Sequence, residues 1–254
     1  MHVDKFALCI AFFCILFYLL AMKYSAKSFK AWPLRKLLLF VSGIVIGLQA
    51  VAGPIAMHAH HSFVYHMIGH LLLGMLAPLL LVLSQPVTLL LRALPQSGGR
   101  AVSRIFRSIY ARFLIHPITA AVLNIGGLWL LYTTHLFHYM HQSPLVSMLV
   151  HLHIFAAGYL FTLAMLYTDP VSYRKSYLYR VIVFVFALAG HGILSKYLYA
   201  NPPMGIAAAD AQQGAMLMYY GGDLIDLTII VILCWQWYQA AAPKTSLSAA
   251  KAAE

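Results

Sequence analysis

The sequence predicts an all-α, polytopic integral membrane protein whose seven transmembrane helices form one bundle. Hydrophobic residues make up 62% of the 254 positions and charged residues only 9%, whereas about a quarter of the residues in a soluble domain are charged. The apolar residues lie in long runs, and about 20 of them in succession suffice for a helix to cross the hydrocarbon core. Most of the charged residues lie in the short segments between these runs.

The apolar runs define the seven helices and a single membrane domain over residues 1–242. The first run has only Lys5 at its start, no small-residue cleavage site and a basic cluster after it, so we interpret it as a retained helix and not as a signal peptide. Residues 243–254 are small and polar and predict a flexible cytoplasmic tail. In chain order, the predicted spans are 5–22, 37–57, 63–83, 113–134, 145–167, 180–199 and 214–238.

The basic residues alternate between the connecting segments, which predicts the orientation. They occur after the first, third and fifth spans and in the tail, while the other three connections contain no Lys or Arg. Positively charged segments stay on the cytoplasmic side, so we expect the N-terminus outside and the C-terminus in the cytoplasm. The basic residues are Lys23, Lys27, Lys30, Arg35, Lys36, Arg92, Arg100, Arg104, Arg107, Arg112, Arg174, Lys175, Arg180, Lys244 and Lys251.

The formal net charge of +11 does not indicate a nucleic-acid-binding protein, because the basic residues are confined to short loops and form no soluble basic surface. Between Arg100 and Arg112, arginines recur every three to five residues beside Ile105 and Ile109. This pattern predicts a short amphipathic helix that lies on an anionic inner leaflet. The expected partner of this basic face is therefore the lipid bilayer, and no nucleic acid.

Histidines are concentrated on the predicted outer side. The two outer loops that follow the second and fourth spans hold six of them, and the last three are spaced three apart, as on one face of a short helix. His116 stands apart, in a His-Pro pair at the predicted start of the fourth span, where we expect a role in beginning the helix. The six outer histidines are His58, His60, His61, His135, His138 and His141.

Polar residues from five predicted spans lie at similar depths below the outer surface. At 1.5 Å per helical residue, the depths are about 9 Å for His151, about 11 Å for His70, about 12 Å for His191 and Gln49, and about 14 Å for Asp223. Polar and ionisable side chains in hydrocarbon are costly unless they are paired or face a cavity. We therefore expect these side chains to face inward, in a cluster that opens to the outside.

Spacing along the helices indicates which histidines can share a ligand and which can face the core. His66 and His70 stand one turn apart, so both can reach one metal ion or one chain of waters. His151 and His153 point to nearly opposite sides of a helix, and the greater depth of His151 favours it as the residue that faces the core.

The last span and Lys196 carry the remaining polar candidates. Asp226 lies one turn from Asp223, and the glycines that precede them in "YYGG" permit close helix approach or a local break. Lys196 lies near the outer end of the sixth span, where it either extends to the interface or pairs with Asp210 or Asp223.

Imidazole together with thioether suits copper, in particular Cu(I). Met57 adjoins His58, and Met67 adjoins His66, so soft and borderline ligands occur side by side. The three cysteines lie inside apolar runs and are expected to pack there. The candidate metal ligands are His66, His70, His151, His191, His58, His60, His61, Met57 and Met67.

Two other roles stay open for the buried imidazoles. His70, His151 and His191 lie at one depth on different helices, as the ligands of an intramembrane bis-histidine haem or redox protein would. Interhelical hydrogen bonding would also satisfy them, in a protein that serves only as a membrane interaction scaffold. A catalytic role is not supported, since the chain has no recognisable nucleophilic triad, phosphate-binding glycine loop or HExxH motif.

Four stretches give the chain a resemblance to a known family. They are "HMIGHLLLGMLAPLLLVLSQP" (66–86), "HPITA" (116–120), "HLHIFAAGYLF" (151–161) and "DAQQGAMLMYYGG" (210–222). With the pattern of spans, they resemble the CtaG-like assembly factors of caa3-type cytochrome c oxidase, which are seven-helix plasma-membrane proteins of bacteria.

The resemblance implies a non-enzymatic, chaperone-like role in the maturation of a haem–copper oxidase. The protein would handle copper for the buried copper centre, with the catalytic oxidase subunit as its partner. The resemblance carries His66, His70, His151, His191 and Asp210 over as functional candidates. Gln212 lies in the same matching stretch as Asp210 and is a further candidate.

Overall fold

A computed structural model of the chain describes residues 2–171 and 173–242. These residues form helices and connecting turns, and no strand occurs within the described ranges. Two of the helical segments are π-helical, and we name them π1 and π2. In chain order the elements are α1 (His2–Ser25), α2 (Leu34–Ala52), α3 (Pro54–Ala59), α4 (Phe63–Leu71), π1 (Leu72–Leu76), α5 (Ala77–Ser84), α6 (Pro86–Ala93), α7 (Gln96–Phe106), α8 (Ile109–Leu114), α9 (Pro117–Ala121), π2 (Val122–Gly126), α10 (Gly127–Thr133), α11 (Leu136–Gln142), α12 (Pro144–Leu166), α13 (Tyr177–Ala200) and α14 (Ala208–Ala241).

The all-helical membrane fold is confirmed, with six helices in the described ranges that are long and apolar enough to span a bilayer. A seventh candidate is a bent pair, Pro117–Thr133 with Leu136–Gln142, whose two parts meet at 78°. The predicted count of seven therefore depends on this bent pair. The six continuous candidates are Lys5–Ser25, Leu34–Ala59, Phe63–Ala93, Pro144–Leu166, Tyr177–Ala200 and Ala208–Ala241.

The predicted bounds of the fourth span are wrong at its start. Residues 109–114 form the separate helix α8, and the span begins only after His116. His116 is extended (φ −67°, ψ 130°) and Pro117 is the first helical residue of α9, because proline fits the first turn of a helix but not its interior. The expectation that His116 begins the helix is confirmed.

Two π-helical turns interrupt the spans near the middle of the bundle. π1 joins α4 to α5 within the third span, and π2 joins α9 to α10 within the fourth. A π-turn changes which residues share a face, because its hydrogen bonds link residues five apart, and such turns occur frequently at functional sites. Both π-turns contribute to the same internal cavity, which is described below.

The core is built mainly from the later helices, and α1 is peripheral. α14 packs against both α4 and α13, while α1 packs on α2 and α6. Phe63, Met67 and Met218 are almost completely buried between α4 and α14. Large apolar side chains on the outer surfaces of the spans are exposed, Phe186 by 75% for example, as expected where lipid replaces water.

The segments rich in Lys and Arg gather at one end of the bundle, which we call the basic end. Arg92 donates a hydrogen bond to the Lys30 carbonyl oxygen (2.7 Å), and Lys36 donates to the Gln85 side chain. These contacts join the segments after the first and third spans. The loops with the histidines of residues 58–61 and 135–141 connect the other ends of the helices, and we call this end the histidine-containing end.

The predicted amphipathic helix is present at the basic end, but as two helices. None of the residues of α7 is buried. The chain breaks before α8 at Ser108, whose Oγ accepts a hydrogen bond from the Ala111 backbone N–H (3.2 Å) and so caps the second helix. The predicted tail 243–254, with Lys244 and Lys251, lies outside the described residues.

Candidate functional site

His70 and His191 face each other in the interior of the bundle. Their ring centroids are 6.1 Å apart with an interplanar angle of 29°, and the side chains are 5% and 3% exposed. Within the described part of the chain, neither nitrogen of either ring has a hydrogen-bond partner. Buried polar atoms are nearly always satisfied, so four unpartnered nitrogens in one place indicate that a water, an ion or another ligand completes this site.

A small cavity of about 20 Å³ adjoins the two rings. This volume is enough for one water or one small ion. Its lining combines imidazole with a thioether, an amide, a hydroxyl and a carboxylate, which are ligand types for a metal ion or a hydrogen-bonded water. The residues that carry these groups are His70, Met75, Asn124, Thr162, His191 and Asp226.

Glycines let the surrounding helices approach this site closely. A Cβ on Gly222 would lie 2.5 Å from Cε1 of His191, so α14 can pass this close to the His191 ring only because it has no side chain there. On the other side, a Cβ on Gly158 would overlap the backbone of Gly74, which brings α12 against π1. The predicted close approach at "YYGG" is confirmed, whereas α14 continues through both glycines without the alternative local break.

His66 occupies a separate position one turn outward. Its Nε2 lies 2.9 Å from the Tyr132 hydroxyl, and the same hydroxyl lies 3.8 Å from Sδ of Met67. The His66 ring is 6.1 Å from the ring of His141, between centroids. His66 is therefore hydrogen-bonded and connects the outer loop to the interior, while His70 is not.

The prediction that His66 and His70 can both reach one metal ion differs from the arrangement in the structure. Within residues 2–171 and 173–242, no three His, Cys, Asp or Glu side chains lie close enough to hold one ion together. The reason is that successive turns of α4 face different neighbours: His66 faces Tyr132, and His70 faces His191. The pair of imidazoles comes from two helices and not from one.

His151 lies apart from the pair formed by His70 and His191. His151 is half-buried and His153 is exposed, in agreement with the prediction that His151 is the more buried of the two. The Nδ1 atom of His151, however, lies 2.7 Å from the Ser147 carbonyl oxygen of its own helix. The His153 ring lies against the fourth span, with Nε2 3.1 Å from the Leu123 carbonyl oxygen. Neither His151 nor His153 lines the cavity beside His70 and His191.

The outer-loop histidines are accessible, and three of the six, His58, His138 and His141, are held by local hydrogen bonds. Nδ1 of His58 lies 2.7 Å from the Pro54 carbonyl oxygen, and Nε2 of His138 lies 2.8 Å from the Gln142 amide nitrogen. Met57 is 71% exposed. His138 and His141 lie on the predicted short helix, α11, and His135 immediately precedes it. Met57, His58, His60, His61, His135 and His138 are all solvent-exposed and remain outside the buried cluster.

The acidic candidates have different roles. Asp210 accepts hydrogen bonds from the backbone N–H of Phe63 (2.6 Å) and Val64 (3.4 Å) and from the Ser62 hydroxyl (3.2 Å). Its carboxylate thus fixes the start of α4, where backbone N–H groups lack partners within the helix. Asp226 is buried and lines the cavity.

Several polar candidates do not reach the cavity. Asp223, Gln49 and Gln212 are partly buried and do not belong to its lining. The Gln49 side chain folds back against Gly53. The predicted pairing of Lys196 with Asp210 or Asp223 is wrong, because its ammonium lies over the Tyr219 ring, 5.3 Å from the centroid. Lys196 is exposed, which agrees with the other predicted alternative, in which its side chain extends to the membrane interface.

Met75, Asn124 and Thr162 line the cavity but were not predicted. Asn124 carried a usable signal, since it is a polar residue in the otherwise apolar stretch "AVLNIGG". Met75 carried none, because residues five apart do not share a face of a regular α-helix. The π-turn after His70 brings Met75 to the same cavity.

Comparison with protein families finds a family model that matches most of the chain. The family model described as "Cytochrome c oxidase caa3 assembly factor" matches residues 15–240. An uncharacterised protein of Mycobacterium leprae is 28% identical over 233 residues, which cover 83% of this chain and 35% of the relative. One from Mycobacterium bovis is 29% identical over 234 residues, which cover 82% and 34%. The chain thus spans about a third of the length of these relatives. No solved structure matches the chain.

Proposed function

The chain belongs to the cytochrome c oxidase caa3 assembly factor family, and we propose that it delivers copper, as cargo, to the oxidase during assembly. The ion would bind as Cu(I) between His70 and His191 and then pass to the catalytic haem–copper subunit. The description of the family names cytochrome c oxidase as the complex that is assembled. That the cargo is copper and that the catalytic subunit receives it are our proposals. The role is that of a chaperone and needs no catalytic residue.

The observation that carries the proposal is the pair of buried imidazoles without hydrogen-bond partners in the described chain. Neutral imidazole and thioether are ligands that suit copper, and Met75 supplies a thioether at the same cavity. The Asp226 carboxylate lies in that lining as well, and its negative charge would offset that of a cation held away from water. The cavity is large enough for an ion.

A route from the outer loops to the pair is supported by the order of the histidines. The exposed loop histidines and Met57 would capture the ion, His141 lies beside His66, and His66 stands one turn from His70 on α4. A cargo site must also release its ion, so a small and incomplete ligand set fits transfer better than a closed tetrahedral cage does. His151 and Met67 lie near this route and would assist it.

The sidedness of the bundle fits this route. We propose that the histidine-containing end faces the outside of a bacterial plasma membrane and that the basic end lies on the anionic inner leaflet, with the N-terminus outside and the C-terminus in the cytoplasm. The proposal rests on the gathering of Lys and Arg at one end of the bundle and on the preference of such segments for the cytoplasmic side.

The haem alternative is weakened by the space between the two rings. A bis-histidine haem places the whole macrocycle between its ligands, but the cavity beside His70 and His191 is about 20 Å³. That space holds one small ion or water, and no macrocycle. The scaffold alternative differs from the copper proposal in one respect: it requires only that the imidazoles form hydrogen bonds.

Complementation of a deletion strain tests the proposal. We expect His70→Leu/His191→Leu to lower the copper content and activity of the purified oxidase at least about tenfold, as the loss of ligand interactions does at metal sites. The exposed His138→Leu serves as the control and should complement fully. His70→Gln/His191→Gln distinguishes the scaffold, because glutamine keeps hydrogen bonding but loses imidazole ligation. Full activity in that variant would contradict copper delivery by this pair.

A further inference from the structure

A second, larger cleft opens at the basic end of the bundle. Its volume is about 580 Å³, far more than the cavity between the histidines. One wall is α7, and the opposite walls are the end of the third span and the segment that follows α12. The polar part of its lining is Gln96, Arg100 and Ser103 on α7 with Arg107 at the C-cap of α7, and Leu91 and Val171 lie across the cleft.

The polar side chains on α7 form one stripe. Gln96, Arg100, Ser103 and Arg107 follow one another at intervals of four, three and four residues, which places them on one side of the helix. Both arginines are exposed and line the cleft with the amide and the hydroxyl. This stripe offers several hydrogen-bond donors and two positive charges to one ligand, and arginine is well suited to binding phosphate.

No acidic residue of the described chain lines the cleft. The neighbouring carboxylate, Asp169, is buried and directed elsewhere: it accepts hydrogen bonds from the Thr88 backbone N–H (2.8 Å) and hydroxyl (2.6 Å) and from the Val87 N–H (3.4 Å). The positive charge of Arg100 and Arg107 is therefore not neutralised within the cleft. An anionic ligand would complement it.

The opposite walls of the cleft are apolar, and so is the adjoining surface. Leu91 and Val171 line the cleft itself. On the side of α7 away from the cleft Ile105 is 67% exposed, and on the following helix α8 Ile109 is 67% and Phe113 is 64% exposed, as expected for helices that lie with one side in a leaflet. A ligand in this cleft thus meets charge at one side and hydrocarbon at the other.

We propose that this cleft binds the phosphate headgroup of an anionic phospholipid from the adjacent leaflet. Arg100 and Arg107 would hold the phosphate, with Gln96 and Ser103 donating hydrogen bonds to its oxygens, and the acyl chains would extend along the apolar wall. The exposed apolar residues favour a lipid over a soluble phosphate, since they place the cleft beside acyl chains. The proposal does not depend on copper delivery.

Native mass spectrometry of the detergent-purified protein, titrated with phosphatidylglycerol or phosphatidylcholine, tests this site. We expect the first phosphatidylglycerol to bind more tightly than phosphatidylcholine, and Arg100→Gln/Arg107→Gln to weaken that binding about tenfold. The matched control, Arg104→Gln/Arg112→Gln, removes the same charge from the same segment outside the cleft and should change it by less than about twofold. Size-exclusion elution and thermal unfolding would show that both variants are folded.

Three outcomes would overturn the proposal. Equal losses in the two double variants would mean that the arginines act only as diffuse surface charge. Equal affinity for the two lipids would mean that no anionic site exists. Displacement of phosphatidylglycerol by millimolar inorganic phosphate would identify a soluble phosphate as the ligand instead of a lipid.

Discussion

The polar residues at the buried and partly buried positions of this bundle include two pairs that differ in their hydrogen bonding. Asp210 and Asp169 each accept hydrogen bonds from the first backbone N–H groups of a helix, α4 and α6 respectively. His70 and His191 have no such partners in the described chain. The first pair of residues is therefore structural. An unsatisfied buried polar atom costs about 1 to 3 kcal/mol, so we expect a ligand to bind at the second pair.

Asp169 gives a prediction about pH. Burial raises the pKa of its carboxyl group above the ordinary value, although the hydrogen bonds from Thr88 and Val87 oppose this effect. The folded state then binds the proton more tightly than the unfolded state, so the stabilisation is full below the unfolded pKa and is lost as the pH rises through the folded pKa.

We therefore expect the melting temperature of the wild type, minus that of Asp169→Asn, to increase as the pH falls from 7 towards 4. The asparagine variant does not titrate and serves as the reference for all other groups. Thermal unfolding in detergent at several pH values gives this difference. If this difference in melting temperature instead decreases as the pH falls, the hydrogen bonds to Asp169 outweigh its burial, and its pKa is lowered and not raised.

At the scale of elements, the two π-turns and the glycines determine which side chains meet. π1 begins two residues after His70, and π2 contains Asn124, so both turns present residues to the cavity that regular helices would direct elsewhere. α14 contributes through Gly222, because the missing side chain leaves space for the His191 ring. The site is thus formed by helix geometry as much as by the ligand residues.

Gly222→Ala tests the contribution of α14. The added Cβ would lie 2.5 Å from His191 Cε1, and overpacking of this kind costs about 1 to 3 kcal/mol, while alanine recovers about 1 kcal/mol of helix propensity. We expect a melting temperature lower by a few degrees and weaker copper binding, because the His191 ring is displaced. Gly69→Ala is the control, since its Cβ would meet its nearest neighbour at 3.8 Å. Unchanged copper binding in Gly222→Ala would contradict this account.

The sequence predicts the elements better than it predicts their contacts. Apolar length and loop charge locate the helices, and the cost of placing imidazole in hydrocarbon identifies His66, His70 and His191 as candidates. The pairing of His70 with His191 was not predictable, because it depends on how α4, α13 and α14 pack. The π-turns were also missed, since no periodicity in the sequence distinguishes them from the helices on either side.

At the scale of the whole molecule, the separation of the basic and histidine-containing ends is the basis of the proposed orientation in a membrane. Single cysteines introduced into a chain without its three native cysteines would test the proposed orientation. Met204 is 63% exposed at the histidine-containing end, and Ser97 is exposed on α7 at the basic end. A membrane-impermeant maleimide should label Met204→Cys in intact spheroplasts and Ser97→Cys only after lysis. The reverse pattern would invert the proposed topology.

The central claim is that His70 and His191 bind one Cu(I) between them, and titration of the purified protein against a Cu(I) chelator of known affinity tests it most directly. Leucine replaces an unsatisfied imidazole without leaving a buried polar group, so the fold of His70→Leu/His191→Leu should persist. We predict one Cu(I) per wild-type chain, the same for His138→Leu, and an affinity at least about tenfold weaker for the double variant. A double variant that binds Cu(I) as tightly as the wild type would contradict the account.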